Sequence, residues 1–356
     1  MERIGILTSG GDCPGLNAVI WAVVRTACEV YGAGVIGIHD GFTGLLPGGV
    51  TRHMSIDDVR GLLMLGGTVL GTTNRGPFDL TDEGDPLPSA VANFEAVVER
   101  SRSLGLDCLI VSGGDGSLRI ARVLHHMGLR LIGVPKTIDN DLAATERTFG
   151  FETAVAVAVE AIDRLHTVAV AHHRVMIAEV MGRNAGWIAL HAGIAAGADA
   201  ILIPEIPFQW EALVRMVAER RERGRSYGLM VVAEGAHPVG GQQMFQAEGR
   251  LGGIANVVGE ELARRAGIET RVTVLGHVQR GGTPVPSDRL LAVRFGEAAV
   301  HLAARGGSGR MVALRADQVV DVSLDEAVMC CKVVPVLSQL VRTARSTGVY
   351  FGDEVG

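Results

Sequence analysis

The sequence predicts an α/β fold in which mostly parallel sheets are covered by helices on both faces. Short apolar runs such as RIGILTS, DCLIVS and LRLIGV end at glycine or polar residues, the pattern of fully buried parallel strands. Stretches with helical spacing follow these runs, for example LNAVIWAVVRTACEV after the first. Strands that alternate with helices in this way build βαβ units.

The predicted elements extend along most of the chain. The strands are RIGILTS, GVIGIH, DCLIVS, LRLIGV, RVMIAEV, AILIP, GLMVVA and MVALR. The helices include LNAVIWAVVRTACEV, LRIARVLHHMG, ETAVAVAVEAIDRLHTV, WEALVRMVAERRERG and IANVVGEELARRAG. Ligands of such sheets bind at the carboxyl ends of the strands, and the polar motifs of this sequence fall there. We therefore expect the functional residues at those ends.

Composition narrows the class of protein. The 356 residues, of which 47% are hydrophobic, suit one large or two medium domains with a sizeable core. The formal charge of −6 argues against a general nucleic-acid binder. The five cysteines have no C-x-x-C spacing, which indicates reduced thiols rather than a disulfide framework or a zinc site. No signal peptide and no apolar run of about 18 residues is present, so we expect a soluble cytoplasmic protein.

Two glycine motifs, SGGD at Ser9–Asp12 and SGGDGS at Ser112–Ser117, follow apolar strands. Glycines let backbone N–H groups face a ligand there, and the start of the next helix favours an anion. Asp115 would repel a phosphate unless a metal ion bridged the two, which points to Mg²⁺. Taken alone, each motif is equally compatible with an ordinary strand-to-helix turn.

The motif PKTIDND at Pro135–Asp141 adds a lysine and two carboxylates. An aspartate can accept the proton of an attacking hydroxyl, and a lysine can neutralise phosphate charge. The alternative is a capping sequence, because Thr and Asp commonly begin helices. With the glycine motifs, the sequence predicts a phosphoryl-transfer site.

Further polar residues follow later strands. VMGRNAGW contributes Arg183, and VVAEGAH contributes Glu234, which suits a sugar hydroxyl. ETRVTVLGHVQRGG carries Arg271, His277 and Arg280, three donors suited to a phosphate. A single arginine is usually a solvated surface charge, but three such donors around one β-branched run favour anion binding.

The ordered motifs GILTSGGDCPGLNAVI, SGGDGS, PKTIDND, EVMGR and TVLGHVQRGG resemble the 6-phosphofructokinase family from Ile4 to the MVALR strand. GGDGS alone also occurs in lipid and NAD kinases, whereas PKTIDND with EVMGR is specific. The resemblance implies the phosphofructokinase fold, with two Rossmann-like three-layer α/β domains and the active site in the interdomain cleft. We predict a phosphoryl-donor domain of residues 1–139 and 253–304, and a sugar-phosphate domain of residues 140–252 and 305–356. The segment from about Ala316 matches poorly and receives no role.

The resemblance also implies a reaction in glycolysis, the transfer of the γ-phosphoryl group of ATP to the 1-hydroxyl of fructose 6-phosphate. Asp139 would be the base, Thr137 and Asp141 would orient the reactants, and Asp115 would hold Mg²⁺. The donor site would include Gly11, Arg75, Gly114, Asp115, Gly116 and Ser117. The sugar would contact Met181, Gly182, Arg183 and Glu234, and its 6-phosphate Arg174, Arg271, His277 and Arg280. Two of these arginines come from a neighbouring subunit in the family, so we expect a dimer or, preferably, a homotetramer.

Lys136 bears on the phosphoryl donor. Strictly ATP-dependent bacterial relatives have glycine there, whereas pyrophosphate-dependent relatives have lysine together with an aspartate in place of Gly116. The mixed pattern is similar to an actinobacterial-type group that includes users of both donors. Gly116 leaves room for a nucleotide, so we predict ATP, with pyrophosphate as the alternative. Sedoheptulose 7-phosphate as substrate, or a non-catalytic sugar-phosphate sensor, also remains open. Trp21 and His53 stand at effector-arginine positions of the bacterial enzymes, so regulation by ADP or phosphoenolpyruvate is not expected.

Overall fold

The computed structural model describes residues 1–74, 76–225, 227–246 and 251–353. The strands are β1 Arg3–Ser9, β2 Gly34–Ile38, β3 Thr51–Met54, β4 Cys108–Gly113, β5 Leu131–Thr137, β6 Phe149–Gly150, β7 Val175–Val180, β8 Ala200–Leu202, β9 Gly228–Ala233, β10 Thr270–Val274, β11 Arg310–Arg315 and β12 Gln318–Ser323. The α-helices are α1 Leu16–Tyr31, α2 Val91–Ser103, α3 Asp115–His126, α4 Phe151–His172, α5 Trp187–Ala195, α6 Trp210–Glu222, α7 Ile254–Ala266, α8 Pro286–Ala304, α9 Leu324–Ala327 and α10 Gln339–Ser346.

The chain divides into two compact units, each with its own sheet. Unit 1 comprises Met1–Thr153 and Arg280–Cys331, and unit 2 comprises Ala154–Gln279 with the chain from Lys332 onward. This division differs from the predicted domain boundaries in three segments. Residues 140–153 belong to unit 1, where β6 pairs with β5. Residues 253–279 belong to unit 2 because β10 pairs with β7, and residues 305–331 belong to unit 1 because β11 pairs with β5. The assignment of donor and sugar binding to separate domains stays a prediction.

The sheet of unit 1 has, among the described residues, the strand order β12-β11-β5-β4-β1-β2-β3, with β6 also paired to β5. All pairs are parallel except β2 with β3 and β11 with β12. The chain runs from β1 to β2 in one direction and from β4 to β5 in the other. The strand order therefore reverses between β1 and β4, and a crevice at their carboxyl ends is where such sheets bind ligands.

The sheet of unit 2 has the order β10-β7-β9-β8 over the described residues, with all pairs parallel. Strands β7 and β9 are buried along their full length, as their apolar sequences predict. Their neighbours in the core include Phe208, Leu213 and Ile254. Because β7 and β9 are adjacent and parallel, the residues that follow them share one edge of the sheet.

The last part of the described chain, which the sequence left without a role, is integrated into unit 2. The backbone N–H of Ile201 donates to the carbonyl of Tyr350 (2.8 Å), and that of Gln209 donates to Gly352 (2.7 Å). The indole N–H of Trp187 donates to the carbonyl of Lys332 (2.9 Å). Among the described residues, no helix combines the length and apolarity needed to cross a bilayer.

Candidate active site

The two glycine motifs meet at the carboxyl ends of β1 and β4. Ser117 Oγ donates to Ser9 Oγ over 3.0 Å and so links the two loops. The loop before Arg75 joins them, since Gly10 N–H donates to the carbonyl of Thr73 (3.2 Å). Arg75 itself lies outside the described residues. The start of α3 adds its free N–H groups to this edge, which makes the site suited to phosphate.

Asp115 and Gly116 form the first turn of α3. The carboxylate of Asp115 is partly exposed (37%) and accepts a hydrogen bond from Arg119 Nε at 2.9 Å. A Cβ added to Gly116 would meet no atom within 4 Å, whereas one added to Gly114 would lie 3.2 Å from the carbonyl of Lys136. Gly116 therefore borders open space, and Gly114 packs against the end of β5.

Lys136 is almost completely buried at the end of β5, with 3% of its surface exposed. Its Nζ donates to the carbonyl of Gly11 and thereby connects β5 to the first glycine loop. Burial holds the pKa of Lys136 below its usual value, because the charged ammonium loses its hydration. A cation held in this way can contact a phosphate at the same edge.

Asp139 lies in the turn that follows β5 and is also 3% exposed. Its N–H donates to Thr137 Oγ1 (3.0 Å), and Thr137 Oγ1 donates to Asp139 Oδ2 (3.4 Å). Arg280 Nη2 lies 4.0 Å from Asp139 Oδ2. The other oxygen, Oδ1, is buried and has no hydrogen-bond partner among the described residues. A buried carboxylate oxygen without a partner is costly unless a substrate uses it.

The turn is supported from a segment that the sequence did not single out. Asn140 has a left-handed backbone (φ 52°), and its Oδ1 accepts the N–H of Thr148 (3.2 Å). Thr148 Oγ1 donates to the carbonyl of Thr137 (2.7 Å), and β6 extends the contact by pairing with Lys136 and Thr137. Asp141 ends the turn and is partly exposed.

Asp288, in the first turn of α8, fixes the start of α4 directly after β6. Its Oδ2 accepts the N–H (2.7 Å) and the hydroxyl (2.6 Å) of Thr153. Burial raises the pKa of Asp288. This contact joins residues more than a hundred positions apart, and no local motif signals it.

Arg280, which was predicted to bind a sugar phosphate, lies beside the glycine loop. Its Nη1 donates to the carbonyl of Asp12 (3.1 Å), and a Cβ added to Gly11 would come within 2.9 Å of Nη1. Gly11 therefore permits the close approach of this guanidinium. Unit 1 thus brings together Lys136, Asp139 and Arg280.

Unit 2 brings together the residues predicted to contact the sugar. Met181, Gly182 and Arg183 follow β7, and Glu234 follows the adjacent β9. Glu234 Oε1 accepts the N–H of Arg183 (3.0 Å). Gly182 has φ 142°, and a Cβ there would lie 2.5 Å from the carbonyl of Ala185, so only glycine fits. Arg183 is itself left-handed, with φ 52°.

Arg174 and Arg271 lie at the other end of the same sheet. Arg174 precedes β7, and Arg271 pairs with Met176 near the start of that strand. Both contact Glu269, at 2.8 Å and 2.6 Å, and Arg174 lowers the pKa of that carboxyl. A six-residue strand spans about 20 Å, so unit 2 does not place these arginines with Arg183. His277 is exposed beyond the far end of β10.

A family model described as Phosphofructokinase matches residues 3–303. The chain belongs to the phosphofructokinase family. It is 56% identical to an "ATP-dependent 6-phosphofructokinase" of Chloroflexus aggregans over 99% of both chains. It is also 49% identical, over 94% of its length and 96% of the relative's, to the "Pyrophosphate--fructose 6-phosphate 1-phosphotransferase" of Amycolatopsis methanolica.

Among solved structures, a phosphofructokinase from Saccharomyces cerevisiae matches 98% of the chain with a TM-score of 0.81 and 33% identity. The chain spans about half of that longer protein, 47% of its length. The predicted α/β phosphofructokinase fold is thereby confirmed, and so is the family that the sequence motifs indicated. The roles of the individual site residues stay predictions.

Proposed function

We propose that this phosphofructokinase transfers the γ-phosphoryl group of ATP to the 1-hydroxyl of fructose 6-phosphate. The observation that carries the proposal is the buried Oδ1 of Asp139, which has no hydrogen-bond partner within the described part of the chain, at the sheet edge where both glycine loops begin. That oxygen accepts the proton of the 1-hydroxyl as the hydroxyl attacks phosphorus. Arg280, at 4.0 Å, balances the charge of Asp139. The names of relatives such as the Chloroflexus protein describe the same enzyme.

The donor phosphates would lie against Gly11, Gly114, Gly116 and Ser117, where backbone N–H groups of the α3 start are available. Thr137 and Asp141 would orient the reactants, and Lys136 would contact a donor phosphate. The role of Arg75 rests on the resemblance alone.

Mg²⁺ fits this site through Asp115, a partly exposed oxygen ligand in the first turn of α3. Among the described residues, no group of three or more His, Cys, Asp or Glu side chains could hold a metal ion. Mg²⁺ would therefore depend on donor phosphate oxygens for further ligands, as it does in many nucleotide sites. When bound, it neutralises charge on those oxygens.

The sugar would contact Met181, Gly182, Arg183 and Glu234, and its 6-phosphate Arg280 and His277. Arg174 and Arg271, at the opposite end of the unit 2 sheet, would serve the site of a neighbouring copy of the chain. Their position favours a homo-oligomer with shared active sites, either a dimer or a tetramer.

Pyrophosphate is the second candidate donor. The buried Lys136 and the name of the Amycolatopsis relative favour it. The open space at Gly116 favours ATP, since a nucleotide needs room beyond the transferred phosphate. The first experiment measures initial rates with fructose 6-phosphate and Mg²⁺, with ATP or pyrophosphate as the sole donor.

Turnover with ATP alone supports the proposal, whereas turnover with pyrophosphate alone would identify pyrophosphate as the donor in place of ATP. Saturable sugar-phosphate binding without turnover on either donor identifies a sensor instead. A parallel series with sedoheptulose 7-phosphate distinguishes the acceptors, and a higher kcat/KM for that sugar contradicts fructose 6-phosphate as the preferred substrate.

A further inference from the structure

Two adjacent thiols, Cys330 and Cys331, are exposed and take no part in the proposed reaction. The other three cysteines are enclosed to different degrees. Burial raises the pKa of Cys13 and Cys28, and it raises the pKa of Cys108 to about 12. Cys330 and Cys331 are the two cysteines that dissolved reagents reach directly, because both are exposed.

The pair is connected to the Asp139 turn through the backbone. Cys331 forms an antiparallel β-bridge with Leu142, which directly follows Asp141. Leu142 is only 1% exposed and packs in the core of unit 1, so the bridge attaches the Cys331 segment to that core beside the turn. Met329, next to the pair, is 76% exposed, so reagents reach this segment from solvent.

We propose that Cys330 and Cys331 form a thiol modification site that small-molecule disulfides oxidise reversibly to a vicinal disulfide. The thiolate of one cysteine attacks the external disulfide R–S–S–R, forms a mixed disulfide and releases one RSH. The second thiolate attacks the protein sulfur of that mixed disulfide and releases the second RSH. The two protein thiols thus lose two electrons and two protons, which leave in the two RSH molecules.

The geometry of neighbouring residues makes such a bond labile. Their Cα atoms are about 3.8 Å apart across a trans peptide, whereas most disulfides join Cα atoms about 4.4–6.8 Å apart. A disulfide closed across one peptide bond is therefore strained and readily reduced. Closing it changes the backbone at Cys331, and the bridge to Leu142 transmits that change to the turn that carries Asp139.

The coupling to activity rests on the proposed function, but the chemistry of the site does not. The full-length protein is incubated with glutathione disulfide, alkylated and analysed by intact mass and peptide mapping. We expect one intramolecular link between Cys330 and Cys331, with Cys28 still alkylated, and full reversal by dithiothreitol. Stable glutathione adducts without a link, or oxidation elsewhere first, would overturn the site assignment.

Activity is measured on the same samples. We expect oxidation to lower kcat several-fold in the wild type, with recovery on reduction, and to leave the C330S/C331S variant unchanged. C28S is the matched control and should respond like the wild type. Full activity of the linked protein overturns the coupling. If no turnover is found even in the reduced protein, the proposed function fails, and the mass data still decide the modification site.

Discussion

Asp139 combines deep burial with a carboxylate oxygen that no described residue pairs. Such a group lowers the stability of the folded protein unless a ligand compensates, so it marks a functional position. Asp139→Asn keeps the shape and removes the proton acceptor. We expect kcat to fall by roughly 10²–10⁴-fold, the usual contribution of a general base, with little change in sugar-phosphate affinity. Steady-state kinetics with calorimetric binding measure both quantities, and a loss of less than about ten-fold in kcat would exclude this role.

Substitutions at Gly116 can test the choice of phosphoryl donor without disturbing the packing, because a side chain there meets open space. Gly116→Asp places a carboxylate where the nucleotide would extend, so the kcat/KM for ATP should fall by roughly 10–100-fold while pyrophosphate is affected less. Gly116→Ala is the matched control, since it adds bulk without charge. Neither variant should melt below the wild type, because a side chain at Gly116 meets no atom and glycine is a weaker helix former than alanine. Equal losses with both donors in the aspartate variant would contradict the argument.

Lys136 is buried, and burial lowers the pKa of its ammonium group. Because the pKa of Lys136 is lower in the folded than in the unfolded protein, its contribution to stability is complete above the unfolded pKa. That contribution is lost as the pH falls through the folded pKa. Burying the charged form of Lys136 therefore costs more stability than burying the neutral form. Relative to Lys136→Met, the wild type should gain unfolding free energy as pH rises from about 7 to about 10. Urea unfolding at the two pH values tests this, and a constant difference would rule it out.

At the scale of elements, the sequence placed the two glycine motifs, PKTIDND, Arg183 and Glu234 correctly, because each follows a continuous apolar run that forms a buried strand. It did not predict β10, whose residues are exposed or partly buried and include Arg271. It also did not predict two antiparallel strands, β3, which has only four residues, and β12, whose residues are exposed or partly buried except for one. Nor did it predict β6, whose two residues carry no periodic signal. Their pairing depends on neighbouring strands and not on local composition.

The same limit explains why the sequence missed Asp288. Its carboxylate holds the first turn of α4, next to the strand that pairs with Lys136 and Thr137. Asp288→Ala should lower the unfolding free energy by about 1–3 kcal/mol, since two buried donors of Thr153 lose their partner. It should also reduce kcat, because β6 loses an anchor.

Ser338→Ala provides the comparison for Asp288→Ala. Ser338 caps α10 in unit 2, where its Oγ accepts the N–H of Val341 at 3.3 Å. This variant should lose stability of a similar kind, about 1 kcal/mol, and keep the wild-type kcat. Denaturant unfolding and kinetics are measured on both variants, and unchanged kcat in Asp288→Ala would restrict its role to stability.

At the scale of the whole molecule, the sequence proposed candidate site residues but did not show which of them lie close together. Arg174 and Arg183 are nine positions apart, yet β7 separates them by its full length. The chain also leaves unit 1 after Thr153 and returns at Arg280. Composition does not change at these crossings, so the domain boundaries could not be predicted from it.

The position of Arg174 and Arg271 leads to a test with two inactive variants. If Arg271 serves a neighbouring subunit, Asp139→Asn and Arg271→Ala chains complement each other when mixed. With random assembly, about a quarter of the sites receive both an intact Asp139 and an intact Arg271. We expect the mixture, dissociated and reassembled, to recover up to that fraction of wild-type activity.

A mixture of Asp139→Asn with Lys136→Met is the control for this experiment. Both of these residues lie in unit 1 of one chain, within the same turn and strand end, so every site in the mixture keeps one defect. That mixture should recover nothing. Formation of hybrid oligomers is verified by mass or by differently tagged chains. Recovery in neither mixture, despite verified hybrids, would mean that each chain supplies its own Arg271. The side chain of Arg271, at the opposite end of the unit 2 sheet from Arg183, would then have to reach the sugar phosphate within one subunit.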